Sequence, residues 1–176
     1  MEDNMIRSFV AALVLSLFVA GSASAAKVDV SKLQLAGDIT QAQAEIVLKG
    51  ALAKAVDQGV PMNIAVVDAG GNLKAFLRMD GAFLGSIDVS IGKAETARRF
   101  NMSTAALGAA AQPGGELFGI EVTNGRLVIF GGGELLRDAN GVIIGAIGVS
   151  GGSVAEDTNV AKAGVAALEK AVKAKK

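Results

Sequence analysis

Few side chains are available for chemistry in this chain, which contains no His, Cys, Trp or Tyr. Their absence removes the usual nucleophiles, general bases, metal ligands and haem-iron ligands. What remains is a small set of charged and hydroxyl groups. Lys93 and Thr96 stand three residues apart, with Glu95 between them and Ile87 and Ile91 near by. Residues at that spacing share one helix face, so a lysine and a threonine at an apolar edge can meet a ligand carboxylate. The alternative use is a snorkelling lysine beside a threonine bonded back to its own helix. Arg78-Met79-Asp80 closes an apolar run and enters a turn. An arginine there can hold a carboxylate through two parallel bonds, or pair with Asp80 itself. Acid–base work without histidine would fall to Glu121, Asp68 or Lys93, although no spacing pairs them. For haem iron the remaining donors are Met62, Met79, Met102, a hydroxyl or a lysine, and methionine ordinarily serves packing.

Two glycine clusters form the other candidate sites. Gly131-Gly132-Gly133 reads as a bend or bulge in a strand, or as a cradle for a ligand. Gly148-Val149-Ser150-Gly151-Gly152-Ser153 joins an apolar run to a helix start, where free amides favour an anion. Glu156 and Asp157 already supply negative charge there, so a tight strand-to-helix turn is the simpler use. Neither cluster fits the P-loop or dinucleotide-binding spacing. Glu156-Asp157 is the one dense acidic group, and without a spaced carboxylate set no metal site is expected.

The elements that must position these groups follow from caps, periods and turns. Thr40 and Gln43 form a capping box. Ala44, Leu48, Ala51, Leu52, Ala55 and Val56 then keep helical spacing until Gly59 and Pro61 stop it. Strands are expected at 62–68 and 73–79 around the turn Ala69-Gly70-Gly71-Asn72. Helical period returns from Phe83 to Arg99 or Phe100, with Gly92 marking a close contact, and a short alanine-rich helix covers 103–111. Further strands are expected at 119–123, 126–130, 134–137 and 142–150, with turns at Asn124-Gly125 and Asn140-Gly141. A last helix opens on the second capping box, Ser153 to Glu156, and ends among lysines that suit its dipole. Hairpin connections dominate, which makes this an α+β domain with an antiparallel sheet.

The whole 176-residue chain balances 17 basic against 17 acidic residues, which gives no electrostatic case for nucleic acid or an anionic membrane. Without cysteine, stability has to come from burial, and 51% of the residues are hydrophobic. The apolar run Phe9–Ala20, preceded by Arg7 and followed by Gly21-Ser22-Ala23-Ser24-Ala25, reads as a signal peptide over residues 1–25, cleaved after Ala25. The run is too short to span a bilayer comfortably, and no membrane span is expected in residues 26–176. Glu2-Asp3 sit where a leader is usually basic, so Met5 is a second candidate start beside Met1.

Six blocks in order, Val66–Gly71, Arg78–Ala82, Ser86–Asp88, Lys93–Ala97, Ile129–Gly133 and Gly145–Gly152, resemble the GlcG/HbpS family, which includes the C-terminal domain of PduO-type proteins. The resemblance covers about Leu35 to Leu168. It implies a profilin-like three-layer domain with a central antiparallel sheet of about five strands flanked by helices. It also implies homo-oligomers from dimer to octamer, and binding of haem or related tetrapyrroles by some members. Lys93 and Thr96 match the family's helix motif. They are carried over as ligand-binding positions, with Arg78, Asp80, Gly131, Gly132 and Gly133 as further candidates. The missing histidine is the departure, so any haem would be held weakly and without histidine. The expectation is a periplasmic or secreted homo-oligomer that binds a small anionic or planar ligand. The alternatives are an enzyme acting on a small acid or aldehyde, with Lys93 or Glu121 as base, and a purely structural oligomer.

Overall fold

Gln43 reaches back to Thr40 as the spacing requires. The Thr40 hydroxyl accepts from the Gln43 N–H at 3.2 Å, and the Gln43 side-chain oxygen accepts from the Thr40 N–H at 2.9 Å. The computed structural model describes residues 37–125 and 127–174. The expected leader 1–25 and its cleavage point lie outside the described residues. Helix α1 (Gln41–Gln58) ends at Gly59, whose φ of 68° is the left-handed conformation that glycine adopts without strain. Strands β1 (Asn63–Asp68) and β2 (Leu73–Arg78) form the expected hairpin. Its turn is fastened by the Asp68 carboxylate, which accepts from the N–H groups of Gly70 and Asn72 at 2.8 Å each.

Helix α2 (Gly85–Phe100) and the short α3 (Thr104–Ala110) follow. A second hairpin, β3 (Gly133–Arg137) and β4 (Ile143–Ser150), then leads into α4 (Val154–Lys173). The second capping box is present: the Ser153 hydroxyl accepts from the Glu156 N–H, and the Glu156 carboxylate accepts from the Ser153 N–H at 2.8 Å. The four strands lie in the order β2-β1-β4-β3, all antiparallel. No helix among the described residues is long and apolar enough to cross a membrane.

The sheet has two unlike faces. Helices α1 and α4 cover one, with Val47, Ile64, Val66, Leu136, Ile147, Val149 and Leu168 as branched, fully buried filling. Helix α2 covers the other, where the buried cluster is almost entirely small: Ala65, Val67, Ala94, Ala97 and Ala146. Small residues let α2 settle directly onto β4. A Cβ on Gly148 would overlap the Ser90 carbonyl oxygen and stand 2.5 Å from the Ala94 nitrogen. Three layers result, helices, sheet and helix, as the family resemblance implies.

Two expected strands are corrected. Residues 119–123 hold a single 3-10 turn, Ile120–Val122. Of 126–130, Arg126 lies outside the described residues and Leu127–Phe130 pair with no strand. The Val128 N–H goes instead to the Thr96 hydroxyl at 3.0 Å. The sheet therefore has four strands rather than about five, and Gly131–Gly133 bends the chain into β3 rather than bulging a strand.

Backbone contact at Gly148 predicts a sharp contrast between glycines. Gly148→Ala should destabilise by about 3 kcal/mol, lowering Tm by roughly 6–12 °C for a domain of this size. Gly85→Ala, whose new Cβ meets nothing within 4 Å, should be neutral or stabilising by up to about 1 kcal/mol. Thermal and urea unfolding of the two variants measure the difference.

Candidate functional site

Lys93 sits in the middle of α2 on the side that faces the sheet, and it is fully buried. An ammonium group out of water needs partners for all its N–H bonds and for its charge. Its Nζ donates to Asp157 Oδ2 at 2.7 Å and to the Val149 carbonyl at 2.8 Å, and it lies 4.7 Å from the centroid of the Phe130 ring. The ring face supplies cation–π attraction on the remaining side. Asp157 is buried in the first turn of α4, where the helix dipole favours a carboxylate. Its other oxygen accepts from the Gly152 N–H at 3.0 Å. Burial pushes the Lys93 pKa below its ordinary value, against the opposing pull of Asp157.

The glycine triplet closes over this pair. A Cβ on Gly132 would come within 2.8 Å of Lys93 Nζ and 3.0 Å of Asp157 Cβ, and its φ of 112° is itself strained for any other residue. At Gly133 a Cβ would stand 2.6 Å from the Lys93 carbonyl oxygen, while the Gly133 N–H donates to the Thr104 hydroxyl at 2.9 Å. Gly131 packs against Thr158 of α4. Lys93 and the triplet Gly131–Gly133 thus meet each other and their own chain, while Thr96, on the same helix, reaches the loop before the triplet at Val128. Lys93 does not snorkel and does meet a carboxylate, that of Asp157. Thr96 does not bond back to its helix; it holds Val128.

Arg78 and Asp80 stand apart from this group. Both are exposed, at the end of edge strand β2 and in the turn after it. Neither belongs to an ion pair among the described residues. Of the possible bases, Asp68 is committed to its turn, and Glu121 lies in the 3-10 turn with Oε2 buried and without a hydrogen-bond partner among the described residues. Met62 is fully buried, Met79 accepts the Met62 N–H on its sulfur at 3.4 Å, and Met102 is exposed. Among the described residues no cluster of carboxylates could hold a metal ion. On the outer side of α2, Val89 and Gly92 join Asp88, Leu127 and Val128 around a shallow hollow of about 190 Å³.

Asp157, Phe130, Thr104 and the Val149 carbonyl complete the site and were not expected from the sequence. Asp157 is legible only as a helix-start charge beside the capping residue Glu156, and its partner is 64 positions away.

Residues 39–166 match the HbpS-like family, described as haem degrading protein HbpS-like, and the chain belongs to that family. An uncharacterized 15.0 kDa protein in the dhaT-dhaS intergenic region of Citrobacter freundii is 44% identical over 133 residues, 75% of this chain and 93% of that protein. The corrinoid adenosyltransferase PduO of Citrobacter freundii is 38% identical over 121 residues, 68% of this chain but only 36% of the enzyme. The chain thus spans about a third of that relative's length. A crystal structure of the PduOC:heme complex superposes with a TM-score of 0.70 and 34% identity, over 74% of this chain and 94% of that one.

Removing one member of the buried pair should be far worse than removing both. Lys93→Met leaves the Asp157 carboxylate buried without its cation and should cost about 3–5 kcal/mol. Adding Asp157→Leu should recover at least about 1 kcal/mol of that loss in urea unfolding; strictly additive losses would contradict the pairing. The pair also has a pH signature. With the folded-state pKa of Lys93 lowered, the unfolded chain binds more protons between that value and the ordinary 10.5. Stability from this site should therefore rise with pH across that window, and the slope should vanish in Lys93→Met.

Proposed function

We propose that the chain is an exported homo-oligomeric protein that binds haem or a related tetrapyrrole. The observation that carries this reading is its likeness, over 94% of the matched chain, to a domain solved with haem. The residues present fit the macrocycle better than they fit its iron. The hollow formed by Val89, Gly92, Leu127 and Val128 offers an apolar surface, but its 190 Å³ falls below the roughly 300–1,000 Å³ of ordinary ligand pockets. A planar ligand would lie against it, with a second wall supplied by another copy. Phe83 and Leu84, both about two-thirds exposed at the start of α2, support burial of this side in a self-assembly.

Iron ligation is another matter. Histidine, cysteine and tyrosine are absent, Met62 and Met79 are spent in the core, the Lys93 amine is taken by Asp157, and the exposed Met102 would offer only a weak thioether. The protein would hold the ligand through its ring and its carboxylates, with Arg78 and helix-start amides as partners. Lys93, Thr96 and Gly131–Gly133 would act by fixing the loop that carries Leu127, Val128 and Phe130.

Hemin titration tests the reading. Affinity should be micromolar, about −8 kcal/mol, with no bis-histidine low-spin spectrum. Val89→Glu should weaken it at least about tenfold, by placing a charge against an apolar ring. Arg78→Gln should cost about 1 kcal/mol, the lower end for a charge-assisted bond because Arg78 is exposed. Light scattering of the same sample should give a dimer or larger assembly at micromolar concentration. A monomer that ignores hemin would overturn both parts.

Export has its own test. Ala23 and Ala25 suit the small-residue positions of a signal peptidase site. N-terminal sequencing of protein recovered from the periplasm or medium should read from Ala26, and a chain still beginning at Met1 or Met5 would contradict it.

A further inference from the structure

Strand β3 lies at one edge of the sheet, and its outer side is only partly closed. The Val149 N–H donates to the Gly132 carbonyl at 2.9 Å, so the hydrogen-bonded pairs along this ladder are 132 with 149, 134 with 147 and 136 with 145. Residues 133 and 135 therefore turn their main-chain groups outward. Gly133 confirms this, since its N–H is taken by the Thr104 hydroxyl outside the sheet. The ladder shifts register between Leu136 and Arg137, which ends regular pairing there. Among the described residues the N–H and C=O of Leu135 and the C=O of Gly133 take no partner, so Leu135 is the one position with both main-chain groups open.

That pair faces a groove. Ser103 from the start of α3, Glu134, Leu135 and Arg137 from β3, and Val165 and Glu169 from α4 enclose about 390 Å³. A second hollow of about 240 Å³ continues past Arg137 and Glu169 toward Val172. The charges in the groove are unevenly satisfied. Arg137 donates to the Gly141 carbonyl at 2.9 Å, and Glu169 has Lys173 within 3.9 Å. Glu134 is half-buried and belongs to no ion pair among the described residues. Burial pushes its pKa up, and Lys162 on α4 opposes that only from beyond contact distance. A half-buried carboxylate beside an open sheet edge fits a strand that brings its own cation.

We propose that the β3 edge takes up an extended peptide segment of a partner, which pairs with Leu135 through both main-chain bonds and sets a lysine or arginine against Glu134. The register follows from the pleat. The residue opposite Leu135 shares its face, so the neighbours of that residue share the face of Glu134 and Leu136. The recognised pattern is an apolar residue flanked by a basic one. Leu135 supplies the apolar contact for the residue opposite it, while Val165 of α4 lies on the Glu134 face, beside the stem of the cation. With one free main-chain pair the contact is short, and sequence choice rests on the cation.

The pentapeptide Ac-Val-Lys-Val-Lys-Val-NH2 tests this on the full chain by ¹⁵N-labelled NMR titration. Binding should shift the amides of residues 103, 133–137 and 162–169, with a Kd below about 1 mM. N-methylation of the central valine removes the donor to Leu135 and should weaken binding at least about tenfold. Glu134→Gln, or a peptide with glutamate in place of lysine, should weaken it at least about threefold. Absence of shifts up to about 5 mM would overturn the proposal, as would indifference to N-methylation or to Glu134→Gln. Dissociation of an oligomer by the peptide would place a second copy on this edge and would also overturn it. None of these outcomes depends on hemin.

Discussion

A lysine charge held in the interior is the constraint around which this domain is arranged. An unpaired ammonium in a dry site is several kcal/mol uphill even after relaxation. Lys93 is made tolerable by Asp157, the Val149 carbonyl and the Phe130 ring, which come from α4, β4 and the loop entering β3. Those partners converge only if α2 lies flat on β4, if α4 begins directly at the sheet's end, and if the loop crosses the pair on glycine just after Phe130. Gly148, Gly152 and Gly132 answer those three demands. The net stability of such a pair against an apolar substitute is small. Its stronger effect is on arrangement, because any misplacement of these elements leaves a charge stranded.

Local signals carried much of this architecture. Both capping boxes, the Gly59 stop and the two hairpins formed where their residues indicated, because each is settled by groups within a few positions of one another. The failures share a cause. Residues 126–130 carry a Leu-Val-Ile-Phe run with strand character, but a strand needs a partner edge. Here Thr96 takes the Val128 N–H, and Gly108 lies against the Ile129 carbonyl. Both contacts reach across some twenty or more positions, so no window of sequence contains them. The same distance hid Asp157 from Lys93. Lys93, Thr96 and the glycine triplet were legible as a group through the family pattern, while their role as a mutual brace depends on three-dimensional closure.

Family membership and this chain's own residues bear on different parts of the functional question. The fold is shared with a domain solved with haem, yet the side chains that usually bind haem iron are missing. This chain offers an apolar hollow on α2, an arginine on β2 that joins no ion pair among the described residues, and exposed Phe83 and Leu84. Such a surface selects by shape and apolar area rather than by coordination chemistry.

The contrast between the two sheet faces has a mechanical meaning. Branched side chains hold the sheet apart from α1 and α4. The seam between the sheet and α2 is built of alanine and of backbone meeting Gly148, and it holds few torsions that could adjust. A shift of α2 toward the sheet therefore meets main-chain atoms of β4 at once. Lys93 rides on the same helix, so the same shift would press on its pair with Asp157 and on the turn at Gly132.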